Sequence, residues 1–167
     1  AIKHFVESAQ LTQWGENTLF ILVADHGANL PCPYEMVLPY HKIPVYIFGA
    51  GITPSIVEQP TSQIDIWPTV LSMLGIDYNN NSLGIDVLHN QRPYAFFVSD
   101  DYLGVSDGEY FWCYGIQTQR EVLYRMGSGE NVLAEEPERA TEMRTFGMNM
   151  QRVNLMAIDN KWTEPCE

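Results

Sequence analysis

One short stretch constrains the fold of this chain more than any other. Residues 18–24 are apolar on both faces, and Asp25, His26 and Gly27 follow them at once. A strand without a polar face needs cover on both sides, as the central strands of parallel sheets have. A helix predicted over residues 1–13 precedes it, and helix, short turn and buried strand is the order typical of an α/β sheet. We therefore expect a central parallel strand that ends at a carboxylate and an imidazole.

Asp25 and His26 lie where α/β proteins bind ligands, beyond the carboxyl end of a strand. A carboxylate and a neutral imidazole are a workable pair of ligands for a divalent metal. Neighbouring residues of a strand point to opposite faces, so the pair shares one ion only if the chain turns there, and Gly27 permits that turn; otherwise the two serve two ions. The structural alternative is that these residues merely end the strand, with Asp25 capping a turn.

A long irregular segment, residues 28–40, follows with three prolines, and long loops in compact domains are more often functional than idle. His41 and Lys42 come next, just before a second strand predicted over residues 43–48. Cationic or hydrogen-bonding side chains at this point can hold an anionic substrate. The alternative is an exposed surface pair, since most charged loop residues are exposed.

The next predicted element is a helix over residues 62–75, capped by Ser62 or Thr61. Its apolar stripe is formed by Ile64, Trp67, Leu71 and Leu74. Asp65 lies in the first turn, where a carboxylate favours the helix dipole, so we interpret it as structural.

After residue 93 the pattern changes to short strands, predicted over residues 94–98, 109–114 and 121–124, with a hairpin signal at Asp107 and Gly108. These strands predict a small antiparallel sheet. A closing helix over residues 135–157, interrupted near Gly147, completes the chain. We expect His4 and His89 on the surface, and the larger aromatic residues in the core or packed on the sheet: Trp67, Trp112, Tyr94, Tyr102, Tyr110 and Tyr114.

Composition excludes several classes of protein. The net charge of −12 repels phosphate backbones, so non-specific nucleic-acid binding is excluded. Cys32, Cys113 and Cys166 lie far apart without a C-x-x-C pair, which is neither a zinc knuckle nor a disulfide scaffold; one bridge plus one free thiol stays open. No apolar run approaches the ~18 residues that span a bilayer. The chain starts without Met and directly in a helical pattern, so we expect it to be part of a longer one.

Several segments resemble those of one enzyme superfamily, in order and spacing. Residues 17–27 resemble the strand and metal motif of the sulfatase and alkaline phosphatase superfamily. Residues 40–51 resemble its next segment, Ile-Pro followed by a hydrophobic strand and Gly. Residues 62–76 resemble the helix after that, of the form D-hydrophobic-x-P-T-hydrophobic-L, and residues 82–88 match the segment that follows. Within the superfamily the chain is most similar to the lipoteichoic acid synthase and phosphoglycerol transferase branch.

The resemblance implies a fold and a site. The fold is α/β, the C-terminal portion of an alkaline-phosphatase-like three-layer sandwich: residues 1–92 form the C-terminal half of the core, and residues 93–167 a small antiparallel sheet plus a closing helix in the same domain. Asp25 and His26 would be metal ligands, and His41 and Lys42 would approach the substrate. The implied cofactor is a divalent metal ion, Mn²⁺ or Mg²⁺ first, with Ca²⁺ or Zn²⁺ as alternatives.

The implied mechanism uses a Thr, Ser or formylglycine nucleophile, which attacks phosphorus or sulfur and forms a covalent intermediate. Neither a Cys-x-Pro-x-Arg segment nor a Thr nucleophile segment precedes Asp25, so the nucleophile is expected upstream and the isolated chain is expected to be inactive. We expect transfer or hydrolysis of a phosphoglycerol or phosphate ester. The alternatives are a sulfate-ester hydrolase and a non-catalytic sulfatase-like binding domain.

Partners and location also follow from the resemblance alone. The expected partner is an anionic ester substrate, with no nucleic acid, and with a membrane only through a missing N-terminal region. The expected location is the cell membrane, with the catalytic domain outside the cytoplasm.

Overall fold

The computed structural model describes residues 1–49 and 51–163. It divides into two compact units. Unit 1 consists of Ala1–Cys32 and Val37–Ile56, and unit 2 of Pro33–Met36 and Val57–Glu167. Cys166 lies outside the described residues, so its pairing stays open.

Unit 1 contains a short helix, a one-turn helix and a two-stranded sheet: α1 (Ile2–Gln10), β1 (Leu19–Val23), α2 (Leu38–His41) and β2 (Val45–Gly49). Aromatic rings join the helix to the strands. Phe5 of α1 packs edge-on against Phe20 of β1 at 5.9 Å, and Phe20 stacks on Phe48 of β2 at 5.2 Å. The predicted helix, strand, loop and strand are therefore all present, with α1 shorter than predicted.

β1 was expected to be a parallel strand, and for its pairing with β2 this prediction is wrong. β1 pairs with β2 antiparallel, with Leu19 opposite Gly49 and Val23 opposite Val45. Parallel neighbours need a long crossover, usually a helix. The connection between these strands carries only the single turn of α2, so the chain reverses instead of crossing over. β1 is also only partly covered, since Val23 is 45% exposed.

Unit 2 is built on a five-stranded antiparallel sheet in the order β3-β4-β5-β6-β7. Its strands are β3 (Ala95–Ser99), β4 (Tyr102–Ser106), β5 (Tyr110–Gly115), β6 (Glu121–Arg125) and β7 (Glu130–Asn131). The small antiparallel sheet and the turn at Asp107 and Gly108 are confirmed. β4 was not predicted, because Gly104 interrupts its pattern. A Cβ at Gly104 would lie 2.5 Å from the Phe97 ring, so the fold requires a residue without a side chain there.

The long helix α4 (Pro137–Asp159) packs against this sheet. The core between them includes Leu103, Trp112 and Met143, each at most 2% exposed. The interruption predicted near Gly147 is wrong, because the helix is continuous. A Cβ at Gly147 would lie 2.8 Å from Val105 Cγ2 and 2.9 Å from Trp112 Cζ3, so this glycine lets the helix approach the sheet.

The helix predicted over residues 62–75 consists of a 3₁₀ turn (Gln63–Asp65) and α3 (Ile66–Met73). Ser62 begins it, and the Ser62 N–H donates to Asp65 Oδ2 at 2.8 Å in a capping box. The predicted apolar stripe is mostly wrong: Leu71 is buried, but Trp67 is 64% exposed and lies outside the core. Ile64 and Leu74 are exposed as well.

The side of this helix that is buried in unit 2 carries polar groups. Asp65 is 2% exposed and forms an ion pair with Arg92, which is 7% exposed. Thr69 Oγ1 donates to the Asp65 carbonyl at 2.7 Å and accepts the Val87 N–H at 3.1 Å. Because these partners come from residues 85–92, the helix turns its polar side toward them. The structural role predicted for Asp65 is confirmed.

Candidate metal-binding site

β1 ends at Val23, and the chain bends at Asp25. This bend brings the side chains of Asp25 and His26 to the same side. His26 Nε2 lies 3.7 Å from Asp25 Oδ2. Two ligand atoms that each lie ~2.0–2.2 Å from one metal ion are separated by at most about 4.4 Å. The geometry therefore fits one shared ion. Asp25 Oδ1 also accepts the His26 backbone N–H at 2.9 Å, so the turn-capping role exists beside the ligand geometry.

The His26 ring is held in the tautomer that a metal ligand needs. His26 Nδ1 lies 2.9 Å from the Gly27 carbonyl oxygen. A carbonyl can only accept, so Nδ1 carries a proton, and in the neutral ring Nε2 then keeps its lone pair. Metal-ligating histidines almost always donate their other ring N–H to a carbonyl, carboxylate or water. The two residues therefore fit a divalent metal by both spacing and tautomer.

Tyr40 supports this arrangement from the other end of the loop. Its ring stacks on the His26 ring at 4.6 Å, with an interplanar angle of 12°. The Gly27 N–H donates to the Tyr40 carbonyl at 2.7 Å, and a Cβ at Gly27 would collide with the Pro39 carbonyl oxygen. Tyr40 was not among the predicted site residues, although it is an aromatic residue directly before His41 in a segment that resembles the superfamily.

His41 and Lys42 lie at the end of α2. The His41 ring packs edge-on against Tyr40 at 5.6 Å, so the Tyr40 ring contacts both imidazoles. Lys42 is exposed, and its backbone N–H donates to the Leu38 carbonyl at 3.1 Å. Substrate binding by these two residues stays a prediction.

Asp25 and His26 are accessible, with side chains that are 88% and 49% exposed. Within residues 1–49 and 51–163, no three or more His, Cys, Asp or Glu residues come together as a group that could hold a metal. The described chain thus offers a pair of candidate ligands, which could fill only part of a coordination sphere.

A second cluster, formed by Ser72, Asp86 and His89, contains the residue types of a catalytic triad. Ser72 Oγ and Asp86 Oδ2 both approach His89 Nδ1, at 3.4 Å and 2.6 Å. In a Ser-His-Asp triad the hydroxyl and the carboxylate bond opposite ring nitrogens. This cluster therefore cannot activate Ser72. His89 is 71% exposed, which confirms its predicted place on the surface.

The Cys113 thiol of β5 is not a candidate nucleophile. Neither Cys32 nor Cys113 forms a disulfide within the part of the chain that the structure describes. Burial, with a smaller effect of the nearby Glu35 charge, raises the pKa of Cys113 to about 12. A buried thiol with such a pKa is protonated at neutral pH and unreactive.

None of the helices within the described ranges combines the length and the apolar character that crossing a bilayer requires.

Comparisons with known proteins agree with the segments that the sequence analysis singled out. Residues 1–76 match the Sulfatase family model. Lipoteichoic acid synthase-like YvgJ of Bacillus subtilis is 26% identical over 128 residues, which cover 62% of this chain and 21% of YvgJ. The chain thus spans about a fifth of that relative's length.

Solved structures share the fold over nearly the whole chain. An alkaline phosphatase superfamily protein from Vibrio parahaemolyticus matches with a TM-score of 0.69 and 24% identity, over 99% of this chain and 41% of that one. Phosphonate monoester hydrolase from Silicibacter pomeroyi matches with a TM-score of 0.66 and 20% identity, over 93% of this chain and 38% of the hydrolase. Residues 1–76 are therefore similar to the Sulfatase family, and the chain shares the fold of part of an alkaline phosphatase superfamily protein.

Proposed function

We propose that this chain is one part of a metal-dependent enzyme that transfers or hydrolyses a phosphoglycerol or phosphate ester. Asp25 and His26 are two of its metal ligands. The observation that carries the proposal is the local geometry: the Gly27 carbonyl fixes the Nδ1–H tautomer of His26, and His26 Nε2 lies 3.7 Å from Asp25 Oδ2.

Each residue of the proposed site has a separate role. A divalent ion bound there supplies positive charge that stabilises the negative charge on the transferred group. Asp25 contributes a carboxylate, and His26 contributes a neutral nitrogen whose direction is set by Gly27 and Tyr40. His41 and Lys42 bind the anionic ester, His41 through a ring nitrogen and Lys42 through its ammonium group.

The nucleophile of the proposed reaction lies outside this chain, and the covalent intermediate forms there. We therefore expect the chain alone to be inactive. We further propose Mn²⁺ or Mg²⁺ as the ion, an anionic ester as the substrate, a membrane reached only through an N-terminal region outside this chain, and an anchored enzyme whose catalytic domain lies outside the cytoplasm. Similarity to the lipoteichoic acid synthase-like protein supports the location.

Relatives named for phosphorus chemistry favour a phosphorus ester. The phosphonate monoester hydrolase shares the fold, and the lipoteichoic acid synthase-like protein shares sequence. A sulfate-ester hydrolase is the second candidate, because the matching family model is Sulfatase.

The test is turnover by the intact protein of two model substrates, bis-p-nitrophenyl phosphate and p-nitrophenyl sulfate, with Mn²⁺, Mg²⁺, Ca²⁺ or Zn²⁺ added in turn. Asp25→Ala is compared with Asp159→Ala, an exposed aspartate at the end of α4. We expect phosphate-ester turnover, unchanged in Asp159→Ala and lowered at least about a hundredfold in Asp25→Ala, the upper end of what disturbing a metal ligand's support costs. Normal turnover in Asp25→Ala would refute the ligand role. Turnover of the sulfate ester alone would favour the second candidate, and turnover of neither would favour a binding domain.

A further inference from the structure

Unit 2 contains a cavity of about 650 Å³, which lies within the ~300–1,000 Å³ of ligand pockets in proteins. Three parts of the unit form most of its wall: β3, the C-terminal part of α4, and the loop of residues 80–83. All the residues that line it belong to unit 2. The cavity is therefore a feature of this unit alone.

One side of the cavity is apolar. It includes Val98 of β3, Val153 of α4 and Trp162, which follows α4. These three residues are 46%, 41% and 53% exposed, so they keep apolar surface in contact with water while they line the same cavity. Single exposed apolar residues are common in proteins, whereas several of them around one concave surface are typical of a binding site.

The polar part of the lining consists of amides and hydroxyls, from Asn80, Asn81, Ser82, Asn154 and Thr163. Each of these groups can both donate and accept a hydrogen bond. Among the residues that the structure describes, no Asp, Glu, Lys, Arg or His lines the cavity. A charged ligand would lose its hydration there without gaining a counter-charge. The lining thus favours a ligand without net charge, which sets it apart from the anionic ester of the proposed function.

The loop of residues 80–83 is held by its own hydrogen bonds. Asn80 Oδ1 accepts the Ser82 N–H at 3.1 Å and the Ser82 hydroxyl at 2.8 Å, and Asn80 Nδ2 donates to the Gly84 carbonyl at 2.8 Å. Gly84 packs so closely on the 3₁₀ turn before α3 that a Cβ there would lie 1.9 Å from the Ile64 carbonyl oxygen. A wall that is fixed in advance loses little conformational entropy when a ligand binds.

We propose that this cavity binds an uncharged sugar unit. A pyranose ring has C–H groups on its faces and hydroxyls around its edge. Its face matches the apolar side, which includes the Trp162 ring, and its hydroxyls match the amides, such as that of Asn154. A pure hydrocarbon would cover these amides without giving them partners, which costs free energy. The inference depends neither on the metal site nor on the proposed function.

The test titrates the intact protein with three probes of similar ring size. They are methyl β-D-glucoside, methyl β-D-glucuronide, which carries a carboxylate, and cyclohexanol, which has a single hydroxyl. Ligand-observed NMR gives the Kd of each probe. The indole N–H signals of the protein locate the ligand, because Trp162 lines the cavity and the fully buried Trp112 does not.

Two variants remove parts of the site, each with a matched control. Asn154→Leu removes an amide from the cavity, and Asn149→Leu removes an exposed amide from the same helix. Trp162→Ala removes the aromatic ring, and Trp67→Ala removes a ring that is 64% exposed and does not line the cavity. Asn81→Ala, on the exposed loop, is the second amide variant if Asn154→Leu does not fold.

We expect the glucoside to bind with a Kd of about 1–10 mM, the range of so small a ligand, and to shift the Trp162 signal but not the Trp112 signal. The Kd should rise about fivefold or more in Asn154→Leu, the effect of losing roughly one hydrogen bond, and further in Trp162→Ala. Both control variants should leave it unchanged. The glucuronide and cyclohexanol should each bind at least about tenfold more weakly than the glucoside, since one brings an unpaired charge and the other leaves the amides without partners.

A Trp162 signal that no probe shifts would overturn the proposal, as would a glucoside Kd that is the same in wild type and in both the amide and the Trp162 variants. Tighter binding of cyclohexanol than of the glucoside would show an apolar site instead, and tighter binding of the glucuronide would show an anion site. Either result would refute an uncharged sugar as the ligand.

Discussion

The two units differ in how much core they possess. Among the described residues, the buried hydrophobic side chains lie in unit 2, except for Ala9 and Leu38. Unit 1 holds the candidate metal ligands on a two-stranded sheet whose strands are at most partly buried. Two strands alone are marginally stable, and functional segments are often drawn from the less stable parts of a fold. Most of the stabilising core and the candidate chemistry therefore lie in different units.

The largest expected effect is on the polar interior of unit 2. Asp65→Asn leaves the Arg92 charge buried without its carboxylate, and Arg92 Nη1 already lacks a hydrogen-bond partner within the described ranges. Breaking a buried pair in this way costs about 3–5 kcal/mol of unfolding free energy. Urea unfolding measures it. Asp159→Asn, on an exposed aspartate, is the control, and equal losses in both would contradict this account of Asp65.

A slightly smaller loss is expected in the apolar core. Met143→Ala removes a side chain that is 0% exposed and should cost about 2–5 kcal/mol. Met156→Ala, in the same helix but 45% exposed, should cost far less. Urea unfolding of the two variants checks the difference. If both were equally stable, α4 would not form the core of unit 2.

The reactivity of the two described thiols is expected to differ between the units. At pH 8, iodoacetamide should modify the half-buried Cys32 of unit 1 while the native Cys113 of unit 2 stays unmodified, as mass spectrometry would show.

The native state holds the Cys113 proton up to a pKa of about 12, against 9.0 for an ordinary thiol. The native state therefore binds more protons than the unfolded chain between these values, and Cys113 lowers stability as pH rises through that window. Cys113→Ala should flatten this loss. Rapid modification of native Cys113 would show that unit 2 is loosely packed.

The smallest effect concerns Asp86. Burial alone would raise its pKa, but hydrogen bonds from Ser72, His89 and the Leu88 N–H outweigh burial and lower the pKa below the usual 3.8. Its stabilising contribution is therefore present above about pH 4 and is lost as pH falls through the lowered pKa. Asp86→Asn should remove that part of the acid sensitivity, by about 1 kcal/mol or less because His89 is exposed. Acid unfolding curves of wild type and variant check it, and superimposable curves would contradict the shift.

Local sequence patterns predicted the positions of strands and turns better than they predicted which residues of a helix are buried. The apolar run of β1 and the turn residues Asp107 and Gly108 act within a few residues, so sequence sufficed for them. Leu71, Trp67 and Asp65 lie on one helix, yet its buried side depends on Arg92, which is distant in sequence. The break predicted near Gly147 was wrong for the same reason, because this glycine is needed for close packing against Trp112, which is distant in sequence.

The sequence predicted only those residues of the candidate site that are recognisable from their immediate neighbours. Asp25 and His26 are neighbours, so their chemistry can be recognised from the sequence. The stacking of Tyr40 on His26 depends on how the loop folds back. Sequence patterns do not encode such a pairing directly.

The most direct test of the central claim is the Kd for Mn²⁺ of the intact protein, measured for wild type, Asp25→Ala, His26→Ala and the control His89→Ala. His89 also bonds an aspartate and is exposed, but lies in the cluster that the metal site does not use. If Asp25 and His26 are ligands, each of their variants weakens binding at least about tenfold, and His89→Ala leaves it unchanged. Wild-type affinity in Asp25→Ala and His26→Ala would contradict the claim.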